Sequence, residues 1–518
     1  MKKFGFLAVI LMLALQVNAN NIIVSNATCT GQNTGASPKY TGVKFNLTWD
    51  NSWRMSAGPA NWDAAWIFVK YKVQGGNWAH ATLSTTSTDH SIGNNNGTNM
   101  TFSPTSDGKG VFLYRSADGT GNINLSDVIL RWNYGTDGVA DAANLQVQVF
   151  AVEMVYIPAG PFFIGDGNVS LAPSGYGYKI NNTGNNLPYK VISEAAITVC
   201  SSTYGNSDQV YDPNYSGGYT IPSSFPKGYA AFYLMKYEVS QKQYVDFFNT
   251  LPKNLTILNN RNLGNTGSYR NSFSWSGQVN DDAVLYGGIS GDRAQSYLNG
   301  ADAAAYADWA ALRPMTELEY EKASRGCDNT GTPIPIFPVN LEYAWGNTTI
   351  NYVSTALTND GTVSEGIANP LSSTANCQYG SPYNSGPLRC GIFAAKGWAS
   401  NQRTQSGASY YGVMELSGNL AELLMVSYNF YSGYPTLFNG SNGDGALNSN
   451  GNCDIASWSQ TSNYSNSEVT TTYVRHWGMR GGSWIDGTSY CRTSDRSQVT
   501  SNPTSRSYNM GFRACRKP

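Results

Sequence analysis

The chain has 518 residues, too many for one ordinary hydrophobic core, so two domains or one heavily decorated domain is expected. Its formal net charge is −1, only 13% of its residues are charged and no basic stripe appears, which excludes nucleic acid as an expected partner. Fifty-four glycines and 13% aromatics, set among long Asn, Ser and Thr stretches, describe an exposed, loop-rich chain whose contacts run through hydrogen bonds and rings.

At the N-terminus, Lys2-Lys3, the apolar run Phe4 to Leu15 and then Val17-Asn18-Ala19 have the charged, apolar and small-residue regions of a secretory signal covering residues 1–19. The run is short for a bilayer span of about 20 residues, and no later segment is apolar enough to be one. No cysteine follows the expected cut, which argues against a lipid anchor. The expectation is a secreted or cell-surface protein with no transmembrane segment.

Residues 20–151 alternate in the period-2 pattern of half-buried strands. Val43, Phe45, Leu47 and Trp49 share one face; Ile67, Val69, Tyr71 and Val73 repeat the device, as do Val128, Leu130 and Trp132, then Leu145, Val147 and Val149. Gly75-Gly76-Asn77 and Asp118-Gly119 mark turns. With no helical period here, an all-β, Ig-like sandwich is expected. His80 and His90, isolated from any Cys or Asp cluster, read as surface residues rather than ligands.

The second part, residues 152–518, follows without a flexible linker, because the last strand runs almost straight into Met154-Val155-Tyr156-Ile157. Asp166 to Lys227 is rich in Gly, Asn, Ser and Tyr, lacks clear periodicity and reads as a surface insertion. Ser240 with Gln243 forms a capping box before Tyr244, Phe247, Phe248 and Leu251 at helical spacing. Ala301 to Leu312 reads as a second helix burying Ala305, Tyr306 and Trp309, and Thr316 with Glu319 caps a third.

Eight cysteines in an exported chain lean toward disulfides. Cys29 stands alone in the first part and the rest lie in the second. Either one bridge joins the parts or one thiol in each stays free. Cys377 with Cys390, and Cys491 with Cys515, are the favoured local pairs.

The C-terminal stretch runs from Arg480-Gly481-Gly482-Ser483-Trp484 through Cys491-Arg492 and Arg496 to Gly511-Phe512-Arg513. Its glycines and regularly placed arginines read as a turn-rich segment tied down by buried guanidinium bonds from Arg480, Arg496 and Arg513. Together with four earlier blocks it resembles the formylglycine-generating-enzyme, or sulfatase-modifying factor, family. Those blocks are Met154 to Gly160 with Ile164-Gly165, Tyr237-Glu238-Val239-Ser240, Leu312 to Glu317 running to Gly326, and Gly412 to Asn419 with Glu422. The resemblance covers about the last two thirds of the chain and implies a C-type-lectin-like fold, so the fold class expected is α+β behind an all-β sandwich.

In the resembled family a closely spaced cysteine pair binds copper and oxidises a substrate cysteine. The alignment through Arg496 and Gly511-Phe512-Arg513 puts Thr488 and Thr493 at those positions, and a hydroxyl does not replace the soft thiolate that holds Cu(I). Related iron enzymes rely on a histidine cluster, whereas His80, His90 and His476 are scattered. Neither copper nor iron is expected. A structural calcium is implied at Glu415, Glu422 and the carbonyls of Gly418 and Leu420, where hard oxygens surround a Gly-Asn turn.

Trp484, Asp486, Tyr490, Thr493, Asp495, Ser497, Tyr508 and Asn509 form the expected ligand-binding face, since small polar residues interspersed with rings suit adaptable binding. The leading expectation is a non-catalytic, exported binding or adhesion protein whose partner is a surface glycan or protein ligand. The alternatives are an active oxidoreductase of the formylglycine-generating type and a self-associating subunit of an extracellular assembly or secretion machine.

Overall fold

A computed structural model describes residues 22–518 except 167–178, 183–184, 201–209, 212–217, 265, 287–290, 328–337, 363, 369–372, 381–384, 395–402, 428–436, 459–475, 500 and 502. Residues 1–19, expected to be a secretory signal, lie outside the described residues.

The first part is built from β1 (Ile23–Asn33), β2 (Tyr40–Arg54), β3 (Asp63–Val73), β4 (Trp78–His80), β5 (Ser91–Asn94), β6 (Met100–Pro104), β7 (Val111–Arg115), β8 (Gly119–Trp132) and β9 (Leu145–Ile157). One sheet has the order β1-β2-β8-β5. Its inner face carries Val43, Phe45, Leu47 and Trp49 from β2 with Leu125, Val128, Leu130 and Trp132 from β8, all buried. Against them pack Ala65, Ile67, Val69 and Tyr71 of β3 and Val111 and Leu113 of β7. Two antiparallel sheets therefore share one core, as strand alternation requires of half-buried faces.

The second sheet does not end with the first part. β9 pairs with β3 along the whole of β3, from Val73↔Leu145 to Asp63↔Val155, and the last four residues of β9 pair with β17 (Phe232–Met235, numbered after the short strands given below). The boundary placed between residues 151 and 152 falls inside β9. The odd residues of β3 face the sandwich core, while Ala64, Trp66 and Phe68 on its other face join the main core of the C-terminal part. Trp66 Nε1 donates to the Ala310 carbonyl at 2.9 Å, and Phe68 meets Trp309 edge-on. Lys70 Nζ donates to the Gly445 carbonyl at 2.6 Å, and Asn61 Nδ2 to that of Tyr411 at 2.7 Å. The histidines are placed less openly than expected: His90 is buried, and half-buried His80 stacks on Phe68.

Between β9 and β17 lie β10 (Phe162–Ile164), β11 (Lys179–Asn182), β12 (Asn185–Leu187), β13 (Tyr189–Val191), β14 (Ile197–Cys200), β15 (Val210–Tyr211) and β16 (Tyr219–Ile221). Five of these form a sheet of order β12-β11-β15-β14-β16, so the segment read as an aperiodic surface insertion holds regular structure, and Ile197, Val199 and Ile221 reach the main core. Strands of two to four residues are too short to print a period on the sequence.

Two helices start at the capping signals, and a third, expected over Ala301 to Leu312, runs from Gly300 to Trp309 behind an Asn299/Asp302 box. Helix α1 (Gln241–Asn249) has the complete Ser240/Gln243 box. A short α2 (Leu255–Arg261), capped by Asn254, went unread. Helix α3 (Gly300–Trp309) is buried on every side, and α4 (Glu317–Arg325) starts at the Thr316/Glu319 box. The final strands, Ala421–Met425, Trp477–Arg480 and Met510–Phe512, make a three-stranded sheet with Ala421–Met425 in the middle. Ala514–Arg516 pairs with β17 and with Arg313–Pro314, closing the long sheet at its far edge.

Candidate functional site

Helix α4 places Glu317 and Glu321 one turn apart on a single face, and both side chains are fully buried there. Glu317 receives Arg496 Nε at 2.7 Å and the Ser427 amide at 2.9 Å; Glu321 receives Arg480 Nη2 at 2.7 Å and the Gly165 amide at 2.7 Å. Arg480 also donates to the Thr493 carbonyl at 2.6 Å. Burial works to raise the Glu317 carboxyl, but the guanidiniums of Arg496 and Arg480 overcome it and hold the group at about 2. The two arginines thus bind the C-terminal segment to α4 from within.

Arg513 centres a second buried cluster. Its Nε donates to Glu422 at 2.6 Å and its Nη1 to the Met414 carbonyl at 2.8 Å, while Nη2 reaches the Glu415 carbonyl at 3.2 Å. Glu238, from the Tyr237-Glu238-Val239-Ser240 block, accepts the Leu420 amide at 2.9 Å and the Asn419 side-chain amide. Its part in the cluster was not read from the sequence, although the block was. Glu415 accepts the Gly391 amide at 2.9 Å, and burial raises its carboxyl to about 7. Burial, then the charge of Glu422, pushes Glu238 well above the usual carboxylate range. Glu415 Oε2 and Glu422 Oε2 are buried without a hydrogen-bond donor. Two orphaned hard oxygens fit a calcium ligand set, but the Glu415 carbonyl and one oxygen of Glu422 are already taken by the Arg513 cation.

The expected binding face is divided by burial. Trp484 is core, its Nε1 donating to the Tyr508 carbonyl at 3.2 Å, and Thr493 and Asp495 are also buried. Gly481 and Gly482, with φ of 85° and 63°, turn the chain at the start of this segment, and residues that alternate in sequence do not alternate between solvent and core. Tyr490 and Ile485 are exposed; Asp486, Ser497, Tyr508 and Asn509 are half-buried. Asp486 accepts from Ser483 Oγ at 2.5 Å, and Asn509 accepts from Ser507 Oγ at 2.6 Å.

The exposed ring that joins this surface comes from elsewhere in the chain. Tyr269 stands 4.5 Å from the Tyr508 ring and 5.5 Å from that of Trp484. It is 43% exposed and, like the adjacent Arg270, has a left-handed backbone, with φ of 46° and 65° respectively. Non-glycine residues adopt this conformation at a cost and concentrate at functional surfaces. Its only sequence signal was a tyrosine following Gly267-Ser268.

The expected disulfides are not formed: none of the seven cysteines whose side chains are described is in a disulfide, so neither Cys377–Cys390 nor Cys491–Cys515 is bonded. Cys390 Sγ faces the Glu238 carbonyl at 3.5 Å and Cys515 Sγ that of Pro314 at 3.4 Å. Cys377 instead adjoins Cys491, with a hydrogen bond between the two side chains. Both are buried; Cys377 Sγ donates to the Ser417 carbonyl at 2.9 Å, and burial, then the Cys491 side chain, holds its thiol well above the ordinary range. Soft sulfur donors suit Cu(I), but both of these are buried and Cys377 Sγ is engaged with the Ser417 carbonyl rather than open to a substrate.

The family model described as Sulfatase-modifying factor enzyme 1-like domain matches residues 223–518, more than half of the chain. No curated protein matches the sequence.

Proposed function

Since the chain belongs to the sulfatase-modifying factor enzyme 1-like family, we propose that it is a non-catalytic member: an exported protein that keeps the family scaffold and binds a surface glycan or a protein ligand. One observation carries this reading. Threonines stand at the expected thiol positions, and the two thiols that do meet, Cys377 and Cys491, are buried and bound to each other and to backbone carbonyls rather than presented to a substrate.

The ligand is held on the exposed side of the same region, by Tyr269 and Tyr508, with Tyr490, Asp486 and Asn509 of the same C-terminal segment contributing. Rings offer large contact area at small entropic cost, and the short polar side chains supply hydrogen bonds. The first part, an Ig-like sandwich in this reading, acts as a rigid spacer rather than a tethered module; a continuous sheet through β9 supports this. Calcium, held by Glu415, Glu422 and the carbonyls of Gly418 and Leu420, is a structural ion in the same proposal, and the two orphaned carboxylate oxygens support it.

Metal analysis combined with an assay on a cysteine-containing peptide tests the proposal. The expected result is no stoichiometric copper or iron and no oxygen-dependent conversion of the peptide. Stoichiometric copper together with turnover overturns it. That outcome would establish the second reading, an oxidoreductase using Cys491, which the adjacency of Cys377 favours. Glycan-array and protein pull-down measurements on the Tyr269→Ala and Tyr508→Ala variants test the surface itself.

A further inference from the structure

We propose that Cys377 and Cys491 are joined by a disulfide when the chain folds in an oxidising compartment, stapling the loop 373–380 to the C-terminal segment. This does not rest on the binding function proposed above.

Both backbones are fastened to one turn. Asn419 N donates to the Gln378 carbonyl at 2.8 Å, next to Cys377, and Ser417 Oγ donates to the Cys491 carbonyl at 2.7 Å. Cys377 Sγ donates to the carbonyl of the same Ser417. Two segments lying far apart in sequence are thereby held so that their sulfurs adjoin, within an apolar cluster that includes Tyr343 and Trp345. Tyr343 shares that cluster with both cysteines, and Tyr379 packs against it. Cys327, Cys390 and Cys515 also face carbonyl oxygens, Cys327 that of Pro161 at 3.0 Å, but no second sulfur is described beside them.

The oxidant is a small disulfide such as oxidised glutathione, or a disulfide-bearing thiol oxidase of the export compartment. The Cys377 thiolate attacks one of its sulfurs and expels a thiol; the Cys491 thiolate then attacks the Cys377 sulfur of the mixed disulfide and expels the second. Two electrons and two protons leave the chain, and the oxidant ends as two thiols. Thiolate is the attacking species. Burial covers both sulfurs once folding is complete, so the bond forms while the C-terminal segment is still accessible and survives because it is then enclosed.

The full chain is unfolded, refolded either with oxidised and reduced glutathione or with excess reductant, alkylated, digested and mapped without reduction. The expected result is a linked peptide carrying Cys377 and Cys491, two fewer alkylatable thiols than in the reduced sample, and a higher melting temperature. Recovery of both residues as alkylated thiols after oxidative refolding overturns the proposal, as does either residue linked to a different cysteine. The wild-type map decides the matter even where Cys377→Ser or Cys491→Ser fails to fold; where those variants do fold, each is expected to lose the linked peptide.

Discussion

Arg496 donates its Nε to Glu317 at 2.7 Å across 179 residues of sequence, in a place where neither side chain is exposed. The pair fixes the last turns of the chain to the first turn of α4, and Arg480 repeats the contact four residues further along the helix, at Glu321. Removing one partner of such a pair leaves a buried charge uncompensated. Arg496→Ala is therefore expected to cost about 3–5 kcal/mol in urea unfolding. Arg496→Lys should recover part of this, because one ammonium cannot reproduce the planar fork. A loss below about 1 kcal/mol would mean that water or a neighbouring arginine takes over the charge.

Stability should pass through a maximum on the mildly acidic side of neutrality. Burial raises Glu415 from 4.5 to about 7 in the folded state, so the native chain holds the extra proton between those values, and stability falls as pH rises through about 7. Asp308, raised by burial from 3.8 to about 7, acts in the same direction. Glu317 acts oppositely: its folded value of about 2 lies below 4.5, so its contribution is complete above 4.5 and is lost as pH falls through about 2. Melting temperature measured across pH should show both flanks, and Glu415→Gln should flatten the neutral one.

The shared sheet predicts one cooperative unit. Trp66 fills the core of the C-terminal part while its neighbours Ala65 and Ile67 fill the sandwich core, so Trp66→Ala should cost about 3–5 kcal/mol. Its effect should appear equally in probes placed in either part. A fragment starting at residue 152 loses β3, the strand that pairs with β9, and is expected to aggregate. A soluble, folded fragment with the thermal midpoint of the whole chain would contradict this.

Calcium is expected to raise the melting temperature of the wild-type protein and not that of Glu415→Gln or Glu422→Gln. Glu422→Gln should also be destabilised without calcium, since Arg513 then loses its carboxylate partner. Equal calcium response in wild type and both variants would remove the ion from this cluster.

The caps were legible because they are local. Ser240 with Gln243 and Thr316 with Glu319 each satisfy backbone donors within one turn, and the sequence spacing is the structural spacing. The same holds for β2, whose Val43, Phe45, Leu47 and Trp49 face one core in strict alternation. β3 was half-read. The alternation of Ile67, Val69 and Tyr71 was seen, yet Ala64 to Val69 contains no polar residue, and an unbroken apolar run is the mark of a strand covered on both faces.

By itself, then, the sequence determined the family, the two sheets of the first part, the helix starts and the arginines that lock the C-terminal segment. Periods, caps and motif spacing express forces acting over a few residues. Only the tertiary structure decided that Cys377 lies against Cys491, that Tyr269 joins Tyr508, that Trp484, Thr493 and Asp495 turn inward, and that β9 serves both parts. Each of these depends on which distant segments a shared core brings into contact, and such contacts leave no regular spacing along the chain.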